Sequence, residues 1–134
     1  MPGKGEVIID REPDIVEARR AVREAATKVG FGVTDITRIV TAASELARNI
    51  YRYAGRGVMY WQTLDGDHRS GLELRFQDHG PGIPNIEDAM SEGYSTGGGL
   101  GMGLPGAKRL MDEMEIQSGV GQGTTVIVRK WKQR

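Results

Sequence analysis

Apolar residues in the first part of the chain recur with the period of an α-helix. Such positions run from Ile15 to Val29 and predict an amphipathic helix over residues 14–29, and Gly30 stands where a helix often ends on glycine. Asp14 and Glu17 resemble a capping box at the start of this helix. The preceding residues 6–11, E-V-I-I-D-R, have the composition of a short strand. The chain is therefore expected to open with a strand followed by an amphipathic helix.

A second helical stripe is followed by residues that alternate between two faces. The helix is expected to be capped by Thr34 or Asp35 and to extend to about Tyr53. Residues 57–64 and 71–77 then favour two strands joined by a turn, which predicts a hairpin. In the second strand the two faces separate cleanly, with Leu72, Leu74 and Phe76 on one side and Glu73, Arg75 and Gln77 on the other.

The rest of the chain combines a glycine-rich segment with one helix and two strands. Residues 78–100 are rich in Gly, Pro and Ser, and so long a loop in a compact domain is usually functional or disordered. A third helix is predicted at about residues 101–114, followed by strands at 115–118 and 124–131. This order predicts an α+β fold of two layers, in which a mixed, mostly antiparallel sheet carries the helices on one face. No linker or repeat divides residues 1–134, so one domain is expected.

Composition narrows the classes of function. The chain has 134 residues, with 18 Lys and Arg against 18 Asp and Glu, and this balance gives no electrostatic case for nucleic acid or an anionic membrane as the main partner. It has no Cys, which excludes disulfides, thiolate catalysis and Cys-based zinc sites. No apolar run is long enough to cross a membrane, and the N-terminus is too polar for a signal peptide, so a cytoplasmic protein is expected. The 20 Gly residues are about twice the average share, and many lie between Gly80 and Gly106.

The first candidate site is the pair Glu45 and Asn49 on the second helix. Residues at i and i+4 are neighbours on a helix surface, and both lie far around the helix from its apolar stripe. A carboxylate and a carboxamide thus share a face that the core does not use. A solvated helix face would give the same pattern, so this pair alone does not identify a site.

The second candidate site is Asp78-His-Gly-Pro-Gly-Ile-Pro, directly after the alternating strand. An acid at a strand end can accept a hydrogen bond from an exocyclic amine. The glycines that follow, Gly80 and Gly82, let backbone come close to a flat ligand. An ordinary tight turn has a similar composition.

Two further glycine-rich motifs follow. The segment Ser95-Thr-Gly-Gly-Gly-Leu-Gly-Met-Gly-Leu opens the third helix, and backbone N–H groups at a helix N-terminus form an anion site when no side chains block them. The segment Gly121-Gln-Gly-Thr-Thr is a turn that enters the last strand. A flexible loop and a hairpin turn are the ordinary interpretations of these two segments.

Two other nucleotide-binding patterns are excluded. Residues 101–106 formally match Gly-x-Gly-x-x-Gly, but no strand precedes them and no βαβ unit surrounds them, so they are not a Rossmann fingerprint. The chain also lacks Gly-x-x-x-x-Gly-Lys followed by Ser or Thr, which excludes a P-loop.

Taken together and in this order, the four segments resemble the nucleotide-binding boxes of the GHKL ATPases, which share the Bergerat fold. Glu-x-x-x-Asn on a helix, Asp-x-Gly-x-Gly after a strand, Gly-x-Gly at a helix start and Gly-x-Gly-Thr before a strand are similar to the N, G1, G2 and G3 boxes. The resemblance covers nearly the whole chain. The large extra domains of gyrase- and Hsp90-type members have no counterpart here, and His68 and His79 do not lie on the helical hairpin of a sensor histidine kinase. What remains is the stand-alone branch, the serine kinases and anti-sigma factors of bacterial partner switching.

Within that branch the chain is most similar to the switch kinases of stressosomes. The similarity lies in residues 44–51, 78–84, 93–101 and 104–112. Anti-sigma kinases tend to carry a basic residue in the lid, where this chain has three consecutive glycines, and the difference leans against sigma-factor binding. His79 departs from the amide residue often found at its position.

The resemblance implies a role for each segment. Asn49 would hold Mg²⁺, Glu45 would act as the general base, and Asp78 with Thr125 would bind the adenine of ATP. Residues 85–100 would form a flexible lid over the nucleotide. The remaining implied ATP contacts are Gly80, Gly82 and Ile83 in the G1 box, and Gly97, Gly99, Leu100, Gly101, Met102, Gly103 and Leu104 in and after the lid.

The resemblance also implies a reaction and its partners. It implies an ATP-dependent protein-serine kinase that phosphorylates a STAS-domain antagonist in a stressosome and, when released, activates a PP2C-type phosphatase. Two alternatives stay open: an anti-sigma factor kinase, and a binding module whose nucleotide state gates partner exchange with little catalysis. The presence of both Glu45 and Asn49 favours an enzyme, because a pure binding module needs no base.

Overall fold

The computed structural model describes residues 3–66, 68–83, 90 and 103–133. These residues form five strands and three α-helices, in the order β1 (Lys4–Ile9), α1 (Pro13–Val29), α2 (Val33–Asn49), β2 (Gly57–Asp65), β3 (Arg69–Asp78), α3 (Gly103–Leu110), β4 (Glu113–Ser118) and β5 (Thr124–Gln133). One π-helical turn, Ile50–Ala54, continues α2. The predicted lid, apart from residue 90, and the predicted start of the third helix lie outside the described residues.

The strands form one sheet in the order β1-β2-β3-β5-β4. Each of the four pairings between these strands is antiparallel, so the sheet is more uniform than the mixed one expected from the sequence. Strand β5 comes last along the chain, yet it lies between β3 and β4. The predicted α+β architecture, with an antiparallel sheet under helices, is confirmed.

The helices cover one face of the sheet, called here the inner face. Leu72, Leu74 and Phe76 of β3 are buried on it, as the alternation predicts, and α1 and α2 pack over them. Each large apolar side chain removed from water contributes about 1.5–3 kcal/mol. A slip of one residue would turn this whole row out to the solvent, so the core fixes the register of the strands. The opposite side of the sheet is called the outer face.

The start of α1 differs from the prediction. The carboxylate of Asp14 reaches back and accepts the backbone N–H groups of Asp10 and Arg11, each at 2.9 Å. These two hydrogen bonds hold the pKa of Asp14 below its ordinary value. The predicted capping box is wrong, because Glu17 pairs instead with Arg20 at 3.4 Å.

The other helix ends agree more closely with the sequence. Gly30 is the C-cap of α1, with φ at 100°, as predicted. Helix α2 begins at Val33 rather than after a Thr34 or Asp35 cap, and its α-helical part ends at Asn49. None of the helices in the described ranges is both long and apolar enough to cross a membrane.

Helix α3 is shorter than predicted. It ends at Leu110, and Met114, the last residue of the predicted helix, lies in β4. The N–H of Asp112 donates to the carbonyl of Arg129 at 2.9 Å, so the ladder of β4 and β5 already begins there. The sequence did not indicate the end of α3, because Met111 and Met114 have helical spacing and no Gly or Pro follows Leu110 directly.

A buried lysine fixes the direction of α3. Lys130 projects from β5, and its Nζ atom lies 3.0 Å from the carbonyl oxygen of Leu110 and 3.9 Å from Oδ1 of Asp35. The C-terminus of α3 is thus next to the first turn of α2. Because the two helices pack on each other, α3 points its N-terminus at Gly103 toward the other end of α2.

Candidate functional site

Three of the four predicted segments meet at one end of the sheet: the end of α2, the segment that starts at Asp78 and the turn that enters β5. There β2 begins at Gly57, β3 ends at Asp78, β5 begins at Thr124 and β4 ends at Ser118, and these four residues are directly opposite one another in the register. The π turn and two further residues, Gly55 and Arg56, separate Asn49 from this row. The topology therefore brings together segments that lie far apart in the chain.

The π turn joins the helix end to the sheet. The N–H of Gly55 donates to the carbonyl of Ile50 at 2.9 Å, which closes the turn. A Cβ atom at Gly57 would lie 2.8 Å from a methyl group of Ile50, and one at Gly80 would lie 2.6 Å from Cβ of Ala54. Single π turns inside helices are frequent at functional sites. Here the turn packs the end of α2 directly against the loop after β3.

Glu45 and Asn49 are half-buried at this end of α2, away from the core. Oε1 of Glu45 lies 2.9 Å from Nη1 of Arg48. The Asn49 carboxamide makes no hydrogen bond to any residue that the structure describes. The predicted pair thus presents one carboxylate held by an arginine and one amide available to a ligand.

Asp78 lies at the end of β3 on the inner face, two residues after the buried Phe76. Its Oδ1 atom accepts the N–H of Gly80 at 2.9 Å, which fixes the loop that follows. The second carboxylate oxygen has no hydrogen bond within the described part of the chain. Asp78 therefore holds the turn with one oxygen and can accept a donor from a ligand with the other.

The loops after β3 and β4 interlock through glycines. Gly82 has φ at 81°, and a Cβ there would collide with the carbonyl of Gly119; Gly123 has φ at 76°, and a Cβ there would collide with the carbonyl of Asp78. The N–H of Gly121 donates to the carbonyl of Pro81 at 2.9 Å. These glycines are thus required by contact between two backbones, independently of any ligand.

Ser118 holds the same two loops together, and it was not singled out in the sequence. Its Oγ atom accepts the N–H of Ile83 at 2.7 Å and donates to the carbonyl of Gly123 at 2.9 Å. The hydroxyls of Ser118 and Thr124 are 2.8 Å apart. Because Ser118 has a single proton, Thr124 must donate this last bond, and its own oxygen keeps lone pairs for a ligand.

The register separates the two adjacent threonines of the fourth segment. Thr124 is opposite Asp78 and shares the inner face with it, whereas Thr125 is opposite Gln77 and belongs to the outer face. Sequence reasoning chose Thr125 as the partner of Asp78. Its role stays a prediction, and the placement favours Thr124, which only the strand register could have indicated.

The third segment is described from Gly103 onward. Gly103 begins α3, and a Cβ there would meet no atom of the described residues within 4 Å. Leu104 is buried and anchors this first turn in the core. Backbone N–H groups at such a terminus favour an anion. The other predicted contacts of this segment lie outside the described residues, namely Gly97, Gly99, Leu100, Gly101 and Met102.

Residues 10–130 match the family described as the histidine kinase-like ATPase domain. The chain belongs to the histidine kinase-like ATPase family. It is 50% identical over 125 residues to the serine/threonine-protein kinase RsbT of Bacillus subtilis, covering 93% of this chain and 94% of that protein. An anti-sigma F factor of Anoxybacillus flavithermus is 34% identical over 116 residues, and the match covers 81% of this chain and 78% of that protein.

A solved structure of the family has the same fold. The crystal structure of the RsbU and RsbW domains of a Mycobacterium tuberculosis protein superposes with a TM-score of 0.66 at 21% identity. The match covers 98% of this chain and 33% of that longer one. The comparisons confirm the predicted membership in the superfamily, and they agree with the enzyme class predicted from it, a protein-serine/threonine kinase.

The site of this ATPase-family chain fits a metal that arrives with a nucleotide. No three His, Asp or Glu side chains converge in the ranges that the structure describes, so these ranges offer no protein cage for a cation. The half-buried Asn49 amide offers one oxygen donor, and Mg²⁺ commonly takes few protein ligands together with water and phosphate oxygens. The donor set therefore suits Mg²⁺ carried by a phosphate chain.

Proposed function

We propose that the chain is an ATP-dependent protein-serine kinase of a bacterial partner-switching pathway. The observation that supports the proposal is the topology: the end of α2 that carries Glu45 and Asn49 continues through the π turn to the end of the sheet that carries Asp78, and the N-terminus of α3 is directed toward the same end. A carboxylate base, an amide ligand, an acceptor for an amine and an anion site are the parts that phosphoryl transfer from ATP requires.

Each part has a proposed role. Asp78 accepts the exocyclic amine of adenine, and Thr124 adds a second acceptor on the same face. Asn49 would hold Mg²⁺, and the ion would supply positive charge to the phosphate oxygens. The first N–H groups of α3 meet the phosphates. The nucleotide then lies between α2 and α3, across the end of the sheet.

Glu45 is proposed to act on the acceptor. It lies one helical turn from Asn49, so a serine hydroxyl near the metal-bound phosphate is within its reach. The serine oxygen attacks the terminal phosphorus, the bond to ADP breaks, and the hydroxyl proton passes to the Glu45 carboxylate. The carboxylate must give up at least part of its contact with Arg48 to do so.

The proposed acceptor is a STAS-domain antagonist within a stressosome, and the proposed second partner is a PP2C-type phosphatase. Support comes from the 50% identity to RsbT, which extends over 94% of that kinase. A cytoplasmic location is part of the same proposal, because these partners belong there. An anti-sigma factor kinase is the second candidate, supported by the weaker identity to anti-sigma F factors.

The test combines calorimetry with a transfer assay. The chain is titrated with ATP in the presence of Mg²⁺, and it is then incubated with labelled ATP and STAS-domain proteins, each beside its serine-to-alanine variant. Label on a STAS protein but not on its variant supports the kinase. Binding of ATP without transfer would favour a nucleotide-gated binding module. Co-purification with a sigma factor would favour the second candidate, and absence of ATP binding would remove all three.

A further inference from the structure

An arginine- and tyrosine-rich surface lies beside the proposed catalytic end of α2. It consists of Tyr51, Arg52, Tyr53, Arg56 and His79, and is called here the tyrosine–arginine surface. The tyrosine residues are 38% and 49% exposed, although they belong to the π turn that follows Asn49. Arg52, Arg56 and His79 are exposed as well. None of these side chains has a role in the proposed nucleotide site.

The segment around the tyrosine–arginine surface carries only positive charges. Between Glu45 and Asp65 the sequence has three arginines and no acidic residue, although the whole chain is neutral. Arg48 is paired with Glu45, but no carboxylate among the described residues lies within ion-pair distance of Arg52 or Arg56. The nearest strand ends carry Asp10 and Asp78, and Asp78 is engaged with its own turn.

The charge of Arg129, on the outer face of the sheet, is compensated by carboxylates of the same chain. On the outer face Arg129 contacts Glu73 at 2.8 Å, Glu115 at 2.9 Å and Glu113 at 3.2 Å. Glu113 also accepts the indole N–H of Trp131 at 2.7 Å. Arg129 is thus balanced by neighbouring carboxylates, whereas Arg52 and Arg56 pair with no carboxylate among the described residues.

A pocket continues this surface onto the outer face. It has a volume of about 270 Å³ and is lined by side chains that include Arg56, Tyr60, Gln77 and His79. It lies on the other side of β3 from the inner-face carboxylate of Asp78, so a ligand there would not compete with a nucleotide. The surface thus offers exposed aromatic rings, guanidinium groups that pair with no described carboxylate, and a recess for an apolar or polar side chain.

We propose that the tyrosine–arginine surface docks an acidic segment of the protein whose serine the kinase phosphorylates. The proposal rests on the proposed kinase function. Tyr and Arg are the residue types that most often dominate protein interfaces, and opposite charge speeds and orients encounter. Because the surface directly follows Asn49 in the chain, a protein held there has its neighbouring residues beside Glu45. Single-stranded nucleic acid also suits arginine with aromatic rings, but the neutral total charge argues against it.

The test is a double charge reversal, Arg52→Glu with Arg56→Glu, in the full chain. Lys4→Glu with Lys28→Glu is the matched control, because it changes net charge equally at exposed positions far from this surface. The KM for a STAS-domain protein that the kinase phosphorylates should rise about tenfold or more in the first variant. In the control variant this KM should stay within about twofold. The kcat at saturating acceptor and the ATP affinity by calorimetry should stay within about twofold in both variants. Tyr51→Ala should raise KM in the same direction.

A direct binding measurement separates failure of the docking surface from failure of the kinase proposal. Fluorescence anisotropy is followed with a labelled peptide of alternating Glu and Leu, and with a single-stranded DNA oligonucleotide, at two salt concentrations. Tighter binding of the peptide, weakened by salt and by the Arg52/Arg56 reversal, supports the surface even if no acceptor is phosphorylated. Tighter binding of the oligonucleotide, or equal peptide affinity in the reversal variant, overturns it, whatever the result for ATP.

Discussion

The guanidinium of Arg48 lies 2.9 Å from the carboxylate of Glu45, three residues earlier on the same helix. The side chains are 38% and 21% exposed, so water screens the pair, and such a contact contributes only about 0.3–0.5 kcal/mol to stability. Its interest is functional, because the proposed base is not free in this conformation. Substitutions can separate the role of Glu45, which supplies the carboxylate, from that of Arg48, which holds the carboxylate in place.

We expect Glu45→Gln to lower phosphoryl transfer by about 10²–10⁴ while ATP affinity stays within threefold, because the amide cannot take the serine proton. Arg48→Ala is the control, since it removes the ion pair and keeps the carboxylate. It should retain transfer within about tenfold. Single-turnover assays with saturating ATP measure both variants. If both variants lost phosphoryl transfer to the same extent, the ion pair, and not a general base, would account for the effect of Glu45.

Asp78→Asn should weaken ATP binding without unfolding the loop. The Asn oxygen can still accept the N–H of Gly80, but the second position becomes a donor that opposes the adenine amine. Loss of a hydrogen bond to a charged group is worth about 1.5–3 kcal/mol, or about 10- to 150-fold in affinity. Calorimetry measures the affinity, and circular dichroism checks the fold. An unchanged dissociation constant would refute the adenine assignment.

Thr124→Val and Thr125→Val form a matched pair at adjacent positions. Both changes keep the β-branched shape and remove a hydroxyl, but only Thr124 is on the face of Asp78. ATP affinity should fall by about 0.5–1.5 kcal/mol for Thr124→Val and remain unchanged for Thr125→Val. The reverse order of the two effects would show that the ligand approaches the outer face and would return the role to Thr125.

Two glycines of the same turn should differ in their tolerance of alanine. Gly121 and Gly123 both have positive φ, at 75° and 76°. A Cβ at Gly121 would meet no atom of the described residues within 4 Å. Gly121→Ala should therefore lower the free energy of unfolding by only about 1–2 kcal/mol, the cost of the strained backbone. Gly123→Ala should destabilise the chain distinctly more, since its Cβ would collide with the carbonyl of Asp78. Urea unfolding without nucleotide measures the difference, and equal midpoints would contradict the packing.

Stability should depend on the ionisation of Asp14. Backbone hydrogen bonds from Asp10 and Arg11 lower its pKa from the ordinary value of 3.8. A depressed pKa in the folded state gives stability that is complete above the unfolded value and is lost as the pH falls through the folded one. Asp14→Ala should therefore lower the urea midpoint at pH 7, and the gap to wild type should shrink at about pH 2. A gap independent of pH would exclude this contribution.

The sequence was sufficient where one pattern decided one feature. The stripes of α1 and α2, the alternation of β3 and the cap at Gly30 followed from spacing alone. The sequence was not sufficient where the helical and the strand spacing of apolar residues fit the same positions. Met114, for example, suits either a helix or a strand. The sequence also could not tell Thr124 from Thr125, because the inner face is known only once β5 is in register with β3.

The functions of the glycines were likewise only partly visible. Their clustering indicated close backbone approach, and the expected cause was a ligand. At Gly82 and Gly123 the approaching group is another loop of the same chain, which no local pattern could reveal. Ser118 was missed for the same reason, since its three hydrogen bonds join segments that are distant in sequence or on opposite sides of a turn.

Strand β5 enters the sheet between two strands that are made before it, and its first residue is Thr124. A nascent chain on the ribosome therefore has an uncovered β3 edge, and only half of the proposed adenine site, until residues 124–133 have emerged. Unpaired edges of this kind recruit other strands, so this interval exposes the chain to aggregation. Nucleotide capture then becomes possible only after translation has passed the last strand, and a product shortened within it would be unable to bind ATP.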